Sequence, residues 1–409
     1  MSISQHIFRL MLPVLLCGAV GPFAGVIHAA DVEGASAAET NVAKTSAAGI
    51  AGVFDAGWTT AYQSQDSITH MHQRLHALGM EYVVLQYAAV EATHLYYPSE
   101  LEFLQNTQYK NNELFPKSIE AAKTVGTKLW LGLYYNGENW YTPPTAEQLD
   151  TLTSRNLKVL EEIHSLYSSE TVIEGVYIPQ EIARYYWDGL RSDATPEMLT
   201  EHFLKPVTEA AQAKGWKVMA APFYNQNLET PEKLQSFFEK LFAAGFKPDI
   251  IAVQDGIGAN DAGKLHAETA TVGNYERAVA QACKKYGIEF WVDMELFHTD
   301  DSHALADSAR ISAQLDTAYA AGATKVIAYD LAVLGNAGLD SLEKWKLKSS
   351  VEPPARIYKT PRESRRASNA HSEKTQKREL FLNGRLQGNR SLNENSQYFK
   401  ANGAKVKQN

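Results

Sequence analysis

Cysteine is almost absent from this chain of 409 residues, which contains two. Cys17 lies in the N-terminal apolar segment, so Cys283 is left without a partner for a disulfide bond in the rest of the chain. We therefore expect Cys283 to be a buried helix residue with no functional role. The first predicted strand also lacks a G-x-G-x-x-G turn into a helix, so nothing in the sequence supports a nucleotide-binding site.

Positive charge is scarce in the central part of the chain. Residues 31–350 carry 25 basic and 42 acidic side chains, whereas residues 351–409 carry 13 basic and 5 acidic ones. A net charge of about −17 over the central part repels phosphate backbones, so we expect no nucleic-acid partner. The same charge disfavours strongly anionic polymers as ligands.

The first 30 residues have the layout of a secretory signal peptide. Arg9 precedes an apolar run from Leu10 to Val20, and small residues close the segment at Ala29 and Ala30. A membrane anchor is the alternative, but the run is short and no second apolar segment follows it. We expect cleavage before Asp31, a periplasmic or secreted protein, and no membrane span after cleavage.

Two further segments lack the periodicity of helices or strands. Residues 31–48 are mostly Ala, Ser, Thr and Glu and predict a flexible leader. Residues 351–409 are polar and net basic and predict a disordered tail. Either the tail holds the protein to an anionic polymer or membrane surface, or it is a dispensable extension.

Between these flanks, residues 49–350 alternate short apolar runs with longer stretches of helical spacing. The short runs are apolar on both faces, which is typical of a parallel sheet covered by helices. They are residues 49–54, 81–86, 128–134, 172–178, 217–223, 249–254, 289–295 and 325–331. Eight such units predict one α/β domain, a (β/α)8 TIM barrel; a doubly wound open sheet is the alternative. We expect a monomer.

The active site of a (β/α)8 barrel lies at the C-terminal ends of its strands, so polar and aromatic residues there are the candidates for ligand binding. They are Trp58, Gln86, Tyr134, Tyr135, Asn136, Gln180, Tyr224, Asn225, Gln254, Asp255 and Asp330. Flat rings can stack on the apolar faces of sugar rings, and amides and carboxylates can bond hydroxyls. A single aromatic at a strand end is more often a core residue, but a run of them on one rim predicts a carbohydrate site.

Two glutamates stand at the ends of the fourth and seventh predicted strands. Glu181 continues the inward-facing set of Tyr177, and Glu295 continues that of Trp291. A pair of carboxylates flanking a cleft is the equipment of glycoside hydrolysis, so Glu181 and Glu295 are the candidate catalytic residues. The alternative for each is an ion pair at the rim, for instance with Arg184.

Two neighbouring segments also attract attention. Tyr185, Tyr186 and Trp187 follow Glu181 and could form a wall on which sugar rings lie. His298 and the residues 300–303 form a cluster of potential metal ligands, but all crowd one loop, which is more simply the lead into a helix cap. We expect neither a metal nor another cofactor.

The motifs YIPQE, VQDGIGA, DMELF and VVLQY resemble those of a family of secreted bacterial (β/α)8 proteins of largely unknown function that are glycosidase-like. The likeness covers about residues 49–348. That family in turn resembles the clan of retaining (β/α)8 glycoside hydrolases, which implies that Glu181 is the acid/base and Glu295 the nucleophile. One departure from the clan is Gln180, because the clan usually has Asn immediately before the acid/base.

Together these features predict a secreted or periplasmic glycoside hydrolase, retaining in mechanism, that acts on a polysaccharide such as a bacterial exopolysaccharide. The acidic barrel favours a neutral or amino-sugar-containing polymer. The alternative is a barrel that binds or helps to assemble a polysaccharide without cleaving it.

Overall fold

Eight parallel strands close into a barrel in the computed structural model, which describes residues 49–137, 144–189, 193–258, 269–298 and 304–354. Numbered with four short strands in chain order, they are β1 (Gly52–Asp55), β2 (Tyr82–Leu85), β3 (Ala89–Val90), β4 (His94–Leu95), β5 (Tyr109–Lys110), β6 (Lys128–Gly132), β7 (Tyr134–Tyr135), β8 (Ile173–Ile178), β9 (Lys217–Ala220), β10 (Ile250–Gln254), β11 (Glu289–Glu295) and β12 (Lys325–Tyr329). The order around the barrel is β1-β12-β11-β10-β9-β8-β6-β2. The predicted TIM barrel is confirmed: seven of the eight predicted runs contain one barrel strand each, and the first overlaps β1 up to Phe54.

Helices separate the barrel strands along the chain. They are α1 (Gln65–Ala77), α2 (Leu114–Val125), α3 (Ala146–Tyr167), α4 (Pro196–Leu199), a π-helical turn (Thr200–Leu204), α5 (Lys205–Ala213), α6 (Pro231–Ala244), α7 (Thr269–Tyr286), α8 (Ser308–Ala321) and α9 (Leu331–Trp345). Local signals set their ends: Thr145 and Gln148 form a capping box at the start of α3. Gly322 ends α8 in the left-handed region, at φ 109°, where glycine is favoured.

The barrel interior is filled with side chains. The inward positions of the strands hold Phe54, Val84, Trp130, Tyr177, Met219, Ala221, Ile250, Ala252, Trp291 and Ile327. Rings meet across the barrel axis, for example Trp130 and Trp291, whose centroids are 6.5 Å apart at 78°. Because the centre is closed by these rings, a ligand can be received only at an end of the barrel, as in other folds of this type.

A small second sheet lies at the C-terminal rim of the barrel. Its order is β5-β4-β3-β7, with β3 antiparallel to β4 and parallel to β7. Since β3 follows β2 and β7 follows β6 within a few residues, this sheet extends the barrel at that end. The sequence did not predict it, because strands of two residues are too short to show an alternating pattern.

The remaining expectations about the chain fare differently. Cys283 is buried in α7, as expected, and burial raises the pKa of its thiol. None of the helices in the described residues is long and apolar enough to cross a membrane. The predicted signal peptide and leader, and the tail beyond residue 354, lie outside the described residues.

Candidate active site

Glu181 and Glu295 lie at the same end of the barrel. Glu295 is the last residue of β11 and is 5% exposed, and Glu181, three residues beyond the end of β8, is partly exposed. The charges of both glutamates influence the pKa of Asp293, which lies two residues before Glu295. Burial raises its pKa well above the usual range, and the charges of Glu295, Asp255 and Glu181 raise it further. The charges of both predicted catalytic carboxyls thus contribute to the raised pKa of one buried residue of β11.

Buried tyrosines surround Glu181. The pKa values of Tyr87, Tyr177 and Tyr329 are raised well above 10, first by burial, and the charge of Glu181 contributes to each shift. The Tyr87 ring packs on that of Tyr135 with centroids 5.4 Å apart. These hydroxyls and rings form the wall next to Glu181. The sequence reasoning had proposed Tyr135 as a binding residue but had missed Tyr177, Tyr329 and Asp293, which the inward alternation of their strands could have indicated.

The backbone of Glu295 is held by a buried network. Asp255 Oδ1 accepts hydrogen bonds from the backbone N–H groups of Glu295 at 3.2 Å and Ile257 at 3.1 Å. Gln314, on α8, donates from Nε2 to Asp255 Oδ2 at 2.6 Å and to the Glu295 carbonyl at 3.0 Å. Arg310 Nη2 donates to the same carbonyl at 2.9 Å. Asp255, predicted from the sequence to bind substrate, is 1% exposed, and its carboxylate instead holds the backbone of Glu295.

The motif VQDGIG brings a glycine against the Glu295 side chain. The Asp255 carboxylate accepts from the Ile257 N–H and closes a tight turn, with Gly256 at φ +66° inside it. Two residues later, a Cβ on Gly258 would lie 2.7 Å from Glu295 Cβ and 3.0 Å from its Oε2. The space occupied by the Glu295 carboxylate therefore depends on glycine at position 258.

Two other predicted binding residues lie around Tyr329. The Gln86 side chain forms a hydrogen bond with the Tyr329 hydroxyl, while Gln86 Oε1 is buried without a hydrogen-bond partner. Asp330 accepts from the Val333 N–H at 3.1 Å and so caps α9. Burial raises the pKa of Asp330 to about 6, with a contribution from the charge of Asp55. Gln86 thus has a buried acceptor with no partner within the described residues, whereas Asp330 has a helix-capping role.

Four further candidates bond to neighbouring loops and strands. The Tyr134 hydroxyl accepts from Arg155 at 3.1 Å, and Gln180 Nε2 donates to the Tyr134 carbonyl at 3.3 Å. Gln254 Nε2 donates to the Ala221 carbonyl at 3.0 Å. Asn225 Oδ1 accepts from the backbone of residue 227 in a turn. These contacts tie adjacent strand ends together at the rim and leave Gln180 Oε1 buried without a partner.

Tyr224 is packed behind the rim. Its ring stacks on Tyr275 of α7, with centroids 4.9 Å apart and planes 6° from parallel, and its hydroxyl donates to the Asp255 carbonyl at 3.3 Å. At 3% exposure it has little surface for a ligand. By contrast, Trp58 and Asn136 are partly exposed at the rim, where a ligand can reach them.

The wall expected after Glu181 is partly wrong. Trp187 is fully buried, and Tyr185 and Tyr186 are each 8% exposed, because this short segment folds under the rim. Arg184 fixes it there: its Nε donates to Glu229 at 2.8 Å and its Nη1 to Asp188 at 2.8 Å. The guanidinium therefore joins the loops after β8 and β9, and it does not serve as the rim partner considered for Glu181.

The loop with possible metal ligands falls mostly outside the described residues, which include His298 but not residues 299–303. Within the described ranges, no group of three or more His, Cys, Asp or Glu side chains is arranged to hold a metal ion.

A (β/α)8 barrel with two convergent carboxyls at its C-terminal rim defines the class of fold and site. The chain belongs to the family described as a domain of unknown function, DUF4434, which it matches over residues 59–336. No curated protein matches the chain.

Solved structures share the barrel at low identity. One is a protein from Bacteroides thetaiotaomicron provisionally described as an alpha-L-fucosidase, with 17% identity, a TM-score of 0.60, and coverage of 76% of this chain and 99% of that one. Another is an endo-beta-1,4-mannanase from Thermotoga petrophila, with 12% identity, a TM-score of 0.46, and coverage of 69% and 68%. A third is a beta-mannanase from the blue mussel Mytilus edulis, with 11% identity, a TM-score of 0.43, and coverage of 75% and 93%. Likeness at these identities is one of fold.

Proposed function

We propose that this protein is a glycoside hydrolase in which Glu181 is the acid/base and Glu295 the nucleophile. The observation that carries the proposal is the placement of both carboxyls at the C-terminal ends of their strands, Glu295 as the last residue of β11 and Glu181 three residues beyond β8, which is the barrel end where catalytic groups of this fold lie. The tyrosines beside Glu181 supply rings and hydroxyls suited to a sugar. The structural neighbour provisionally described as an alpha-L-fucosidase supports the choice of reaction class.

In the proposed reaction, protonated Glu181 donates its proton to the glycosidic oxygen while ionised Glu295 attacks the anomeric carbon. The bond to the leaving sugar breaks and a covalent glycosyl ester forms at Glu295. A water molecule, deprotonated by Glu181, then cleaves the ester and restores both groups. The clamp of Asp255 and Gln314 on the Glu295 backbone supports this role, because a nucleophile must be held in a fixed geometry.

The proposed substrate is a neutral or amino-sugar-containing polysaccharide outside the cytoplasm, such as a bacterial exopolysaccharide. Trp58 and Asn136, which are partly exposed at the rim, suit the apolar face and the hydroxyls of such a sugar. The carboxyls of Glu181 and Glu295 oppose an anionic sugar by charge repulsion. The signal-peptide pattern at the N-terminus supports export.

The test is release of reducing ends from a panel of polysaccharides by the full chain and by Glu181→Gln and Glu295→Gln. Matched controls are Glu174→Gln and Glu289→Gln, which alter carboxyls near the opposite ends of the same two strands. We expect each catalytic variant to lose at least about 100-fold in kcat/KM. The controls should keep their activity.

Leaving-group dependence separates the two roles. With an aryl glycoside whose phenolate leaves without a proton, Glu181→Gln should retain the first step, whereas Glu295→Gln should lose it. Proton NMR of the first product anomer tests retention of configuration. Full activity of Glu295→Gln would refute the proposal. Polymer binding without cleavage, unchanged in both variants, would instead identify a carbohydrate-binding barrel.

A further inference from the structure

The geometry points to a second sugar-binding position on the small sheet, centred on Tyr109, which receives a distal unit of the polysaccharide whose reacting unit lies at Glu181 and Glu295. This inference rests on the proposed function for the identity of the ligand as a sugar polymer. Its structural basis is a continuous series of aromatic rings, which we call the aromatic track: Tyr135, Tyr87, Trp58, His94 and Tyr109.

The aromatic track runs from the candidate catalytic centre to the surface. The centroid of Tyr87 is 5.4 Å from that of Tyr135 and 5.9 Å from that of Trp58. Trp58 lies 4.9 Å from His94, and His94 lies 5.0 Å from Tyr109. At the inner part of the track, the charge of Glu181 contributes to the raised pKa of Tyr87. The outer end is open, because Tyr109 is 43% exposed.

Tyr109 is an exposed ring that the fold holds in place. It pairs with His94 in the β4–β5 ladder, and the two rings stack at 30°. Gln108 Nε2 donates to the Tyr109 hydroxyl at 3.0 Å. An exposed ring that is already ordered loses little side-chain entropy when a ligand covers it. Such pre-organisation favours binding.

His94 makes the track suitable for an uncharged sugar face. The imidazole is 8% exposed, and burial lowers its pKa, so it is neutral at pH 7. Tyr109 therefore presents the exposed ring of the track, supported from below by a neutral imidazole and not by a buried positive charge. Pyranose rings carry apolar faces that pack on such a ring.

The test is affinity electrophoresis of the full chain through gels containing chitosan, glucomannan, hydroxyethylcellulose or xyloglucan. Tyr109→Ala removes the ring, and Tyr109→Phe keeps the ring but removes its hydroxyl. Tyr286→Ala is the control, since this half-buried tyrosine ends α7 just before β11 begins, at the opposite rim. Melting temperatures establish that each variant is folded.

We expect at least one polymer to retard the native protein, with about tenfold weaker affinity for Tyr109→Ala. Tyr109→Phe and Tyr286→Ala should remain within about twofold of the native protein, since both keep the Tyr109 ring. Absence of retardation by all four polymers would overturn the inference, as would equal retardation of Tyr109→Ala or an equal loss in Tyr286→Ala.

The outcomes separate this inference from the proposed function. If hydrolysis depends on Glu295 but Tyr109→Ala is retarded as strongly as the native protein, the proposed function stands and the second sugar-binding position is refuted. Retardation that depends on Tyr109, without hydrolysis of any polymer, would leave a sugar-binding track on a non-catalytic barrel.

Discussion

Substitution of Gly258 by alanine tests whether the Glu295 carboxylate depends on the space above residue 258. The added Cβ would lie 2.7 Å from Glu295 Cβ, 3.0 Å from Glu295 Oε2 and 3.0 Å from the Phe297 carbonyl oxygen. Ordinary contacts of a Cβ begin at 3.4 Å. The added methyl group is thus pressed from two sides, by a side chain and by backbone.

The Glu295 side chain is the part most free to yield. Asp255 holds its backbone N–H, and Gln314 and Arg310 hold its carbonyl, so β11 resists displacement at this point. Rotation of the side chain can move the carboxylate but not Glu295 Cβ, so relief of the 2.7 Å contact also requires a shift of the backbone at residue 258 or 295. A misplacement of about 1 Å at a catalytic group costs about 100-fold in rate. The overpacking itself should lower the unfolding free energy by about 1–3 kcal/mol.

The assay combines a melting temperature with kcat and KM on whichever polysaccharide the full chain proves to cleave in the test of the proposed function. Gly273→Ala is the matched control for overpacking: its added Cβ, in the second turn of α7, would meet the Thr317 methyl of α8 at 2.9 Å and would not contact Glu295. In that helix alanine also gains about 1 kcal/mol over glycine. We expect a fall in kcat for Gly258→Ala and none for Gly273→Ala. Native kcat in a folded Gly258→Ala would refute the argument that position 258 shapes the nucleophile site.

Two further predictions concern buried charge near the rim. Burial raises the pKa of Asp55 from 3.8 to about 6, so the native state binds this proton more tightly than the unfolded chain does, and the unfolding free energy falls as pH rises from about 4 to about 6. The slope of unfolding free energy against pH, measured by urea titrations across this range, should be smaller in Asp55→Asn by the equivalent of up to about one bound proton. An unchanged slope would contradict the raised pKa of Asp55. Arg184→Leu leaves buried Glu229 without its cation and should lower the unfolding free energy by about 3–5 kcal/mol, much of which Arg184→Leu with Glu229→Leu should restore. Equal losses in the single and double variants would show that packing, not charge, dominates.

The sequence predicted the barrel because its strands are buried on both faces. Runs apolar throughout, each followed by a helical stretch, leave few arrangements other than a parallel sheet covered by helices. The period of two residues also predicts that Glu181 and Glu295 continue the inward-facing sets of their strands, and the structure places both residues at the C-terminal end of the barrel. Strand starts were less well predicted: the first run begins at residue 49, but β1 begins at Gly52, because apolar residues before a strand look like part of it.

Other features of the site depend on tertiary contacts that no local pattern reveals. Asp255 and Gln254 are neighbours at a strand end, but Asp255 meets Gln314, 59 residues away, and becomes a support for Glu295. Trp187 looked like a sugar platform, yet Arg184 folds its segment under the rim. His94 and Tyr109 meet through strands of two residues each, which have no periodic signal.

The distribution of buried acids gives a further reason to place function at this rim. Asp55 ends β1, Asp255 and Asp330 follow β10 and β12, and Asp293 lies two residues before the end of β11. Burial raises the pKa of all four. A buried carboxyl with a raised pKa lowers the stability of the fold at neutral pH, so stability alone does not explain four of them at one end of the barrel. Strongly shifted groups concentrate where a protein needs a defined proton or charge. In this barrel they surround Glu181 and Glu295, where protonation of a leaving sugar is proposed to occur.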